Sequence, residues 1–127
     1  MLFRSEGRAE ALAGTFDAQN VASTLWAYAT MGREPGAGVM RALEGRMEEV
    51  AGTFNSQNAA NTLWAYATMC WAPGAGLMRE LEGRAEAVSG TFKAQEVAST
   101  LWAYAKMGRA PGASFIISGL HQRWRDG

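Results

Sequence analysis

The sequence predicts an all-α fold: a right-handed αα-solenoid of 38-residue helix–turn–helix repeats, with about seven short helices. The first observation behind this is a repeated hexamer. "TLWAYA" stands at Thr24–Ala29, Thr62–Ala67 and Thr100–Ala105, so Trp26, Trp64 and Trp102 are spaced 38 residues apart. Phe16, Phe54 and Phe92 keep that step, as do Pro35, Pro73 and Pro111. So do the tripeptides Glu6-Gly7-Arg8, Glu44-Gly45-Arg46 and Glu82-Gly83-Arg84, without insertion or deletion. A fixed period of about 20–50 residues is the signature of a repeat array. The second observation is that apolar residues recur at helical spacing in two segments of each period. The third is that caps and breakers punctuate both segments.

These boundaries divide a single helical-repeat domain over residues 1–127 into a partial repeat (1–15), a first repeat (16–53), a second (54–91) and a third (92–127) with a divergent C-terminal helix. The opening "MLFRSEGRAEALAGTF" matches the second half of a repeat, as expected of a fragment of a longer array, and reads as neither a signal nor a transit peptide. A partial helix is expected at residues 2–13. The first full helix is expected from Ala18 to Met31. Asp17 suits its N-cap, with Asn20 three residues on, and the second copy has Asn55 and Asn58. In the third copy Lys93 loses the cap oxygen, while Glu96 keeps an acidic side chain in the first turn. Phe16 and Val21 have hydrophobic-staple spacing, repeated at Phe54/Ala59 and Phe92/Val97. Gly32 and Gly108 suit the position just past the helix end. Cys70 stands there in the second copy, so a different cap is expected.

Pro35, Pro73 and Pro111 then prevent continuation of the first helices. A second helix is expected from about Gly38 to Ala51, with Val39, Met40, Leu43, Met47 and Val50 at helical spacing. Gly52 and Gly90 are expected to end the second helices. Gly45 and Gly83 lie inside them, at about 1 kcal/mol each relative to Ala, and a small residue recurring there predicts close helix–helix approach. The last segment, "SFIISGLHQRWRDG", keeps apolar residues but loses the Glu-Gly-Arg motif. Neither end shows a polar capping helix, so exposed apolar surface at the ends is expected, with marginal stability or self-association.

Composition narrows the function. The chain is 48% hydrophobic and 19% charged, and it has no apolar run long enough for a membrane span. Twelve Lys and Arg balance twelve Asp and Glu, which argues against a strongly electrostatic nucleic-acid binder. The charge is uneven, since residues 93–127 carry five Lys or Arg against two acids. Cys70 is the sole cysteine, which excludes an internal disulfide framework and a Cys-rich metal site. His121, the sole histidine, lies in a polar stretch and reads as a surface residue. "PGAG" lacks the Gly-Lys-Ser/Thr ending of a phosphate loop. Glu48, Glu49 and Glu86 read as solvated partners of Arg46 and Arg84. No catalytic, cofactor-binding or metal-ligating set is predicted, and the chain does not read as an enzyme.

On a wheel at 100° per residue, Ala22, Leu25, Trp26 and Ala29 cluster on one side of the first helix, and Val21, Thr24, Tyr28 and Met31 on another. The hexamer therefore reads mostly as packing, and its tryptophans as core or inter-repeat filler. The stripe left over holds Asn20, Ser23, Ala27 and Thr30, then Asn58, Asn61, Ala65 and Thr68, then Glu96, Ser99, Ala103 and Lys106. Small polar groups at one height on successive helices are what a one-base-per-repeat RNA reader needs. Asn and Ser donate and accept hydrogen bonds to base edges, and Lys106 suits a phosphate. The polar members of the stripe, with Trp71 of the following turn as a stacking residue, are the candidate RNA-binding set. The competing reading is a solvent-facing stripe free to drift.

The motif "FNSQNAANTLWAYATM" at Phe54–Met69, the 38-residue period and the "APG" turn resemble octotricopeptide repeats. They are similar to the arrays of FAST-kinase-like, RAP-domain-containing organellar RNA proteins. The resemblance covers about residues 2–112, although Ala18, Ser56 and Ala94 stand where that family often has Pro. It implies an α-solenoid that binds single-stranded RNA in mitochondria or chloroplasts and supports transcript stability, processing or translation. The alternatives are a protein–protein interaction scaffold and an inactive fragment of a longer repeat protein.

Overall fold

A computed structural model describes residues 11–33 and 35–108. Within them every regular element is helical: α1 (Ala18–Thr30), α2 (Ala37–Val50), α3 (Ser56–Thr68), α4 (Ala75–Ala87) and α5 (Ala94–Met107). Short 3-10 turns at Ala13–Thr15, Ala51–Thr53 and Ser89–Thr91 lead into α1, α3 and α5. Five α-helices thus stand among the described residues where the whole sequence predicts about seven. Most of the helix expected at 2–13, the divergent segment after residue 112, Arg109, Pro111 and His121 lie outside the described residues.

The starts of α1, α3 and α5 follow the predicted capping logic. Asp17 Oδ1 accepts from the Asn20 amide at 2.8 Å, and Asn20 Oδ1 accepts from the Asp17 amide at 3.1 Å. Asn55 and Asn58 repeat the reciprocal pair at 2.7 and 3.1 Å. Lysine has no acceptor oxygen, so at α5 only half the pair forms, the Lys93 amide donating to Glu96 Oε1 at 2.9 Å. Phe54 and Phe92, just before the caps, are buried, and Phe16 is half-buried. All three therefore anchor the entry of the chain into the first helices.

The expectation of a different cap at Cys70 is overturned. Cys70 adopts the same left-handed conformation, φ 55°, as Gly32 at 69° and Gly108 at 70°. The hydrogen bonds match as well. The amides of Gly32 and Arg33 donate to the carbonyls of Ala29 and Tyr28, both at 3.1 Å; those of Cys70 and Trp71 donate to Ala67 and Tyr66, at 3.1 and 3.0 Å. This is the Schellman arrangement, and the repeat's backbone geometry overrides the residue's preference.

The ends of the second helices also differ from expectation. The chain continues from α2 into a 3-10 turn, held by Thr53 Oγ1 donating to the Val50 carbonyl at 2.7 Å and the Phe54 amide donating to Ala51 at 3.1 Å. Gly45 and Gly83 do not mark a close approach. Both are exposed, and a Cβ on either would meet nothing within 4 Å.

The flanking residues of that tripeptide tie the layers together. Arg46 Nε donates to the Phe16 carbonyl at 2.6 Å, and Arg84 Nε donates to Phe54 at 2.7 Å. Each clasps a second helix to the entry of the first helix of its own repeat. Glu44 reaches into the next repeat, where its Oε1 accepts from the Tyr66 hydroxyl at 3.0 Å. Among the described residues the predicted surface pairing is seen between Arg46 and Glu49, at 3.4 Å, with Arg46 half-buried and Glu49 exposed.

The closest helix packing is α1 on α3 and α3 on α5, which places the first helices side by side. Helices α2 and α4 touch each other and back onto the first helices. The core between these layers is filled by Val39, Met40, Leu43 and Met47 of α2 and Leu77, Met78, Leu81 and Ala85 of α4. From the other side come Val21, Leu25, Leu63 and Tyr66.

Candidate nucleic-acid interface

Because the three first helices are copies, comparing burial between them identifies what each side faces. Val21 and Tyr28, and their counterparts Ala59, Tyr66, Val97 and Tyr104, are buried in every copy and face the second helices. Ala22 and Ala29, like Ala60 and Ala67, are buried, but Ala98 and Ala105 are exposed, so this side faces the following helix. Asn58, Ala65 and Met69 are buried where Asn20 and Met31 are exposed and Ala27 is half-buried, so this side faces the preceding helix.

The remaining side is exposed in α1, largely exposed in α5 and mostly half-buried in α3, where the Thr68 hydroxyl is buried. It carries Gln19, Ser23, Trp26 and Thr30 in α1, Gln57, Asn61, Trp64 and Thr68 in α3, and Gln95, Ser99, Trp102 and Lys106 in α5. Trp26 is 44% exposed and Trp102 45%, and Trp64 between them is half-buried. The reading of these tryptophans as core or inter-repeat filler is therefore corrected for Trp26 and Trp102, whose indoles lie exposed along one edge of the first helices, while Trp64 packs against the core as that reading expects. On the wheel Trp26 lies about 60° from Ser23 and about 40° from Thr30. The signal was present, and only the position of the neighbouring helix decides to which side the ring belongs.

The predicted stripe accordingly splits. Ser23, Thr30 and Lys106 are exposed, and Asn61, Thr68 and Ser99 half-buried, all on the tryptophan edge. Asn20, Asn58 and Glu96 are not part of it. Their side-chain oxygens cap the helices, and Asn58 is only 7% exposed. Ala65 and Ala103 are buried between helices. Trp71 is half-buried, packs against the core next to its cap and lines a cavity with Cys70 and Lys106.

Asn61 and Ser99 line a cleft of about 250 Å³ between α3 and α5, with Gln57, Lys93, Gln95 and Glu96 around it. Lys106 Nζ lies 5.6 Å from the Trp102 ring centroid, within cation–π range. Lys93, the N-cap of α5, stands where the other copies have Asp17 and Asn55, and Lys106 of its last turn where they have Thr30 and Thr68. Positive charge on this edge is therefore gathered at the third repeat. Behind it, Tyr66 is fully buried. Burial, and then the Glu44 carboxylate, push its hydroxyl far above the usual tyrosine range, so it stays a neutral donor.

Among the described residues no group of three or more His, Cys, Asp or Glu side chains is placed to hold a metal ion. None of the described helices is long and apolar enough to cross a membrane. Comparison with known proteins gives no family model that matches the chain and no curated protein similar enough to count as a relative.

Proposed function

We propose that this chain is a right-handed αα-solenoid module that binds single-stranded RNA along the tryptophan edge of its first helices, in organellar RNA metabolism. The observation that carries the reading is the pair of exposed indoles Trp26 and Trp102, with the half-buried Trp64 between them, each on the same edge as a short polar side chain at Ser23, Asn61 or Ser99. Bases stack on the indoles, the hydroxyls and the amide meet base edges, and Lys93 and Lys106 meet phosphates. The resemblance to octotricopeptide repeats supports the ligand class and the organelle.

Stacking at about 1–3 kcal/mol per base over three rings amounts to roughly 3–9 kcal/mol before ordering costs. The balanced net charge adds little to that, so binding by this chain alone is weak, with Kd in the tens of micromolar or poorer. The test is fluorescence anisotropy against a pool of labelled single-stranded RNA at two salt concentrations, with wild type and with Trp26→Ala/Trp102→Ala. Both rings are substantially exposed, so the double variant keeps its helical circular dichroism. RNA binding that weakens with salt and is lost in the variant supports the reading. Binding unchanged without the two rings sinks it, and salt-insensitive binding to a protein in its place favours the scaffold.

A further inference from the structure

The side-by-side packing of the first helices is one interface used twice. Its forward half is Ala18, Ala22 and Ala29 of α1 and Ala60 and Ala67 of α3, all buried against the next helix. Its backward half is Asn58, Thr62 and Ala65 of α3 with Met69 at its C-cap, and Thr100 and Ala103 of α5, again buried. The forward half is all alanine, and the backward half mixes Ala and Thr with Asn58 and Met69. At the two ends of the described array one half is left open. The forward half of α5, Ala94, Ala98 and Ala105, is exposed. The backward half of α1 is open at Asn20 and at Met31, which is 58% exposed, whereas its counterpart Met69 is 7% exposed.

We infer that these open halves are mutual docking surfaces, and that the partner is a second copy of this chain, α5 of one molecule packing on α1 of the next. The chain itself shows what covers each surface. The α5 face repeats the alanines by which α1 and α3 each receive a following helix, and the α1 face repeats the positions by which α3 receives a preceding one. The contact is head-to-tail, with different patches meeting, so it extends into an open chain of molecules rather than closing as a two-fold dimer. The α5 face offers only alanine methyls to Asn20 and Met31 of the α1 face, so association is weak and strongly concentration-dependent. The inference stands apart from the RNA reading, because the tryptophan edge is on neither surface.

The test is sedimentation equilibrium of the full chain from about 10 µM to about 1 mM, the range for a small interface. It compares wild type, Ala98→Arg and Met31→Arg, each checked for unchanged helicity. Both substitutions are at exposed positions, one blocking each half. Wild type should rise in average mass with concentration, and each variant alone should remain monomeric. A one-to-one mixture of the variants should form dimers and nothing larger, since each supplies the half that the other lacks. A wild type that stays monomeric, a variant that still associates alone, or a mixture that fails to pair overturns the inference.

Discussion

Replacing Cys70 with glycine should stabilise the fold. Cys70 holds φ at 55°, in the left-handed region where glycine stands in the other two copies. A residue with a Cβ costs about 1–2 kcal/mol there. Glycine gives back roughly 0.5–1 kcal/mol through the larger freedom of its unfolded backbone. The Cys70 side chain is exposed, so losing the thiol removes little burial, and the cap's two hydrogen bonds are made by backbone atoms that glycine retains. The net expectation is a gain of about 0.5–1 kcal/mol, or a Tm rise of roughly 2–5 °C for a domain of this size. Urea titration followed by circular dichroism reads it as a higher midpoint with unchanged slope. The reciprocal Gly32→Cys should lose a similar amount. If Cys70→Gly is neutral or destabilising while Gly32→Cys is tolerated, backbone strain is not what distinguishes these positions.

Two further outcomes follow from packing and charge. Gly45→Ala and Gly83→Ala should each stabilise by about 1 kcal/mol, since both sites are helical with open space around the added methyl; a loss in thermal melts of either variant would mean an unseen contact there. High pH should destabilise the protein through Tyr66. Its folded hydroxyl is held well above the unfolded value, near 10. Stability from this group is therefore intact below pH 10, and is lost at up to about 1.4 kcal/mol per pH unit as the unfolded state alone deprotonates above it. Tyr66→Phe should flatten that fall in urea midpoints taken between pH 9 and pH 11, and an unchanged slope would refute the assignment.

Much of the local architecture could be read before any coordinates. The capping pairs Asp17/Asn20 and Asn55/Asn58 formed as the spacing implied, because a cap joins residues three apart and needs no third element. The second-helix core positions Val39, Met40, Leu43 and Met47 are all buried, since a wide apolar stripe has one stable destination. The site was less legible. The stripe through Asn20, Ala27 and their counterparts looked continuous with Ser23 and Thr30, but one part caps and packs while the other is open. Arg46 read as a solvated charge partner, yet it bonds to a group 30 residues away in sequence, and Glu44 to one 22 residues away.

The sequence by itself determined the period, the described helices, the starts of the first helices and the apolar stripe that faces the second layer, all legible from spacing along the chain. Only the tertiary structure decided which of the remaining sides of a first helix meets its neighbour and which meets solvent. A helical wheel places residues around an axis but carries no information about where the next axis lies. A side chain such as Trp26, on the boundary between two sides, is therefore assigned only when α3 packs against the alanines and leaves the indole outside.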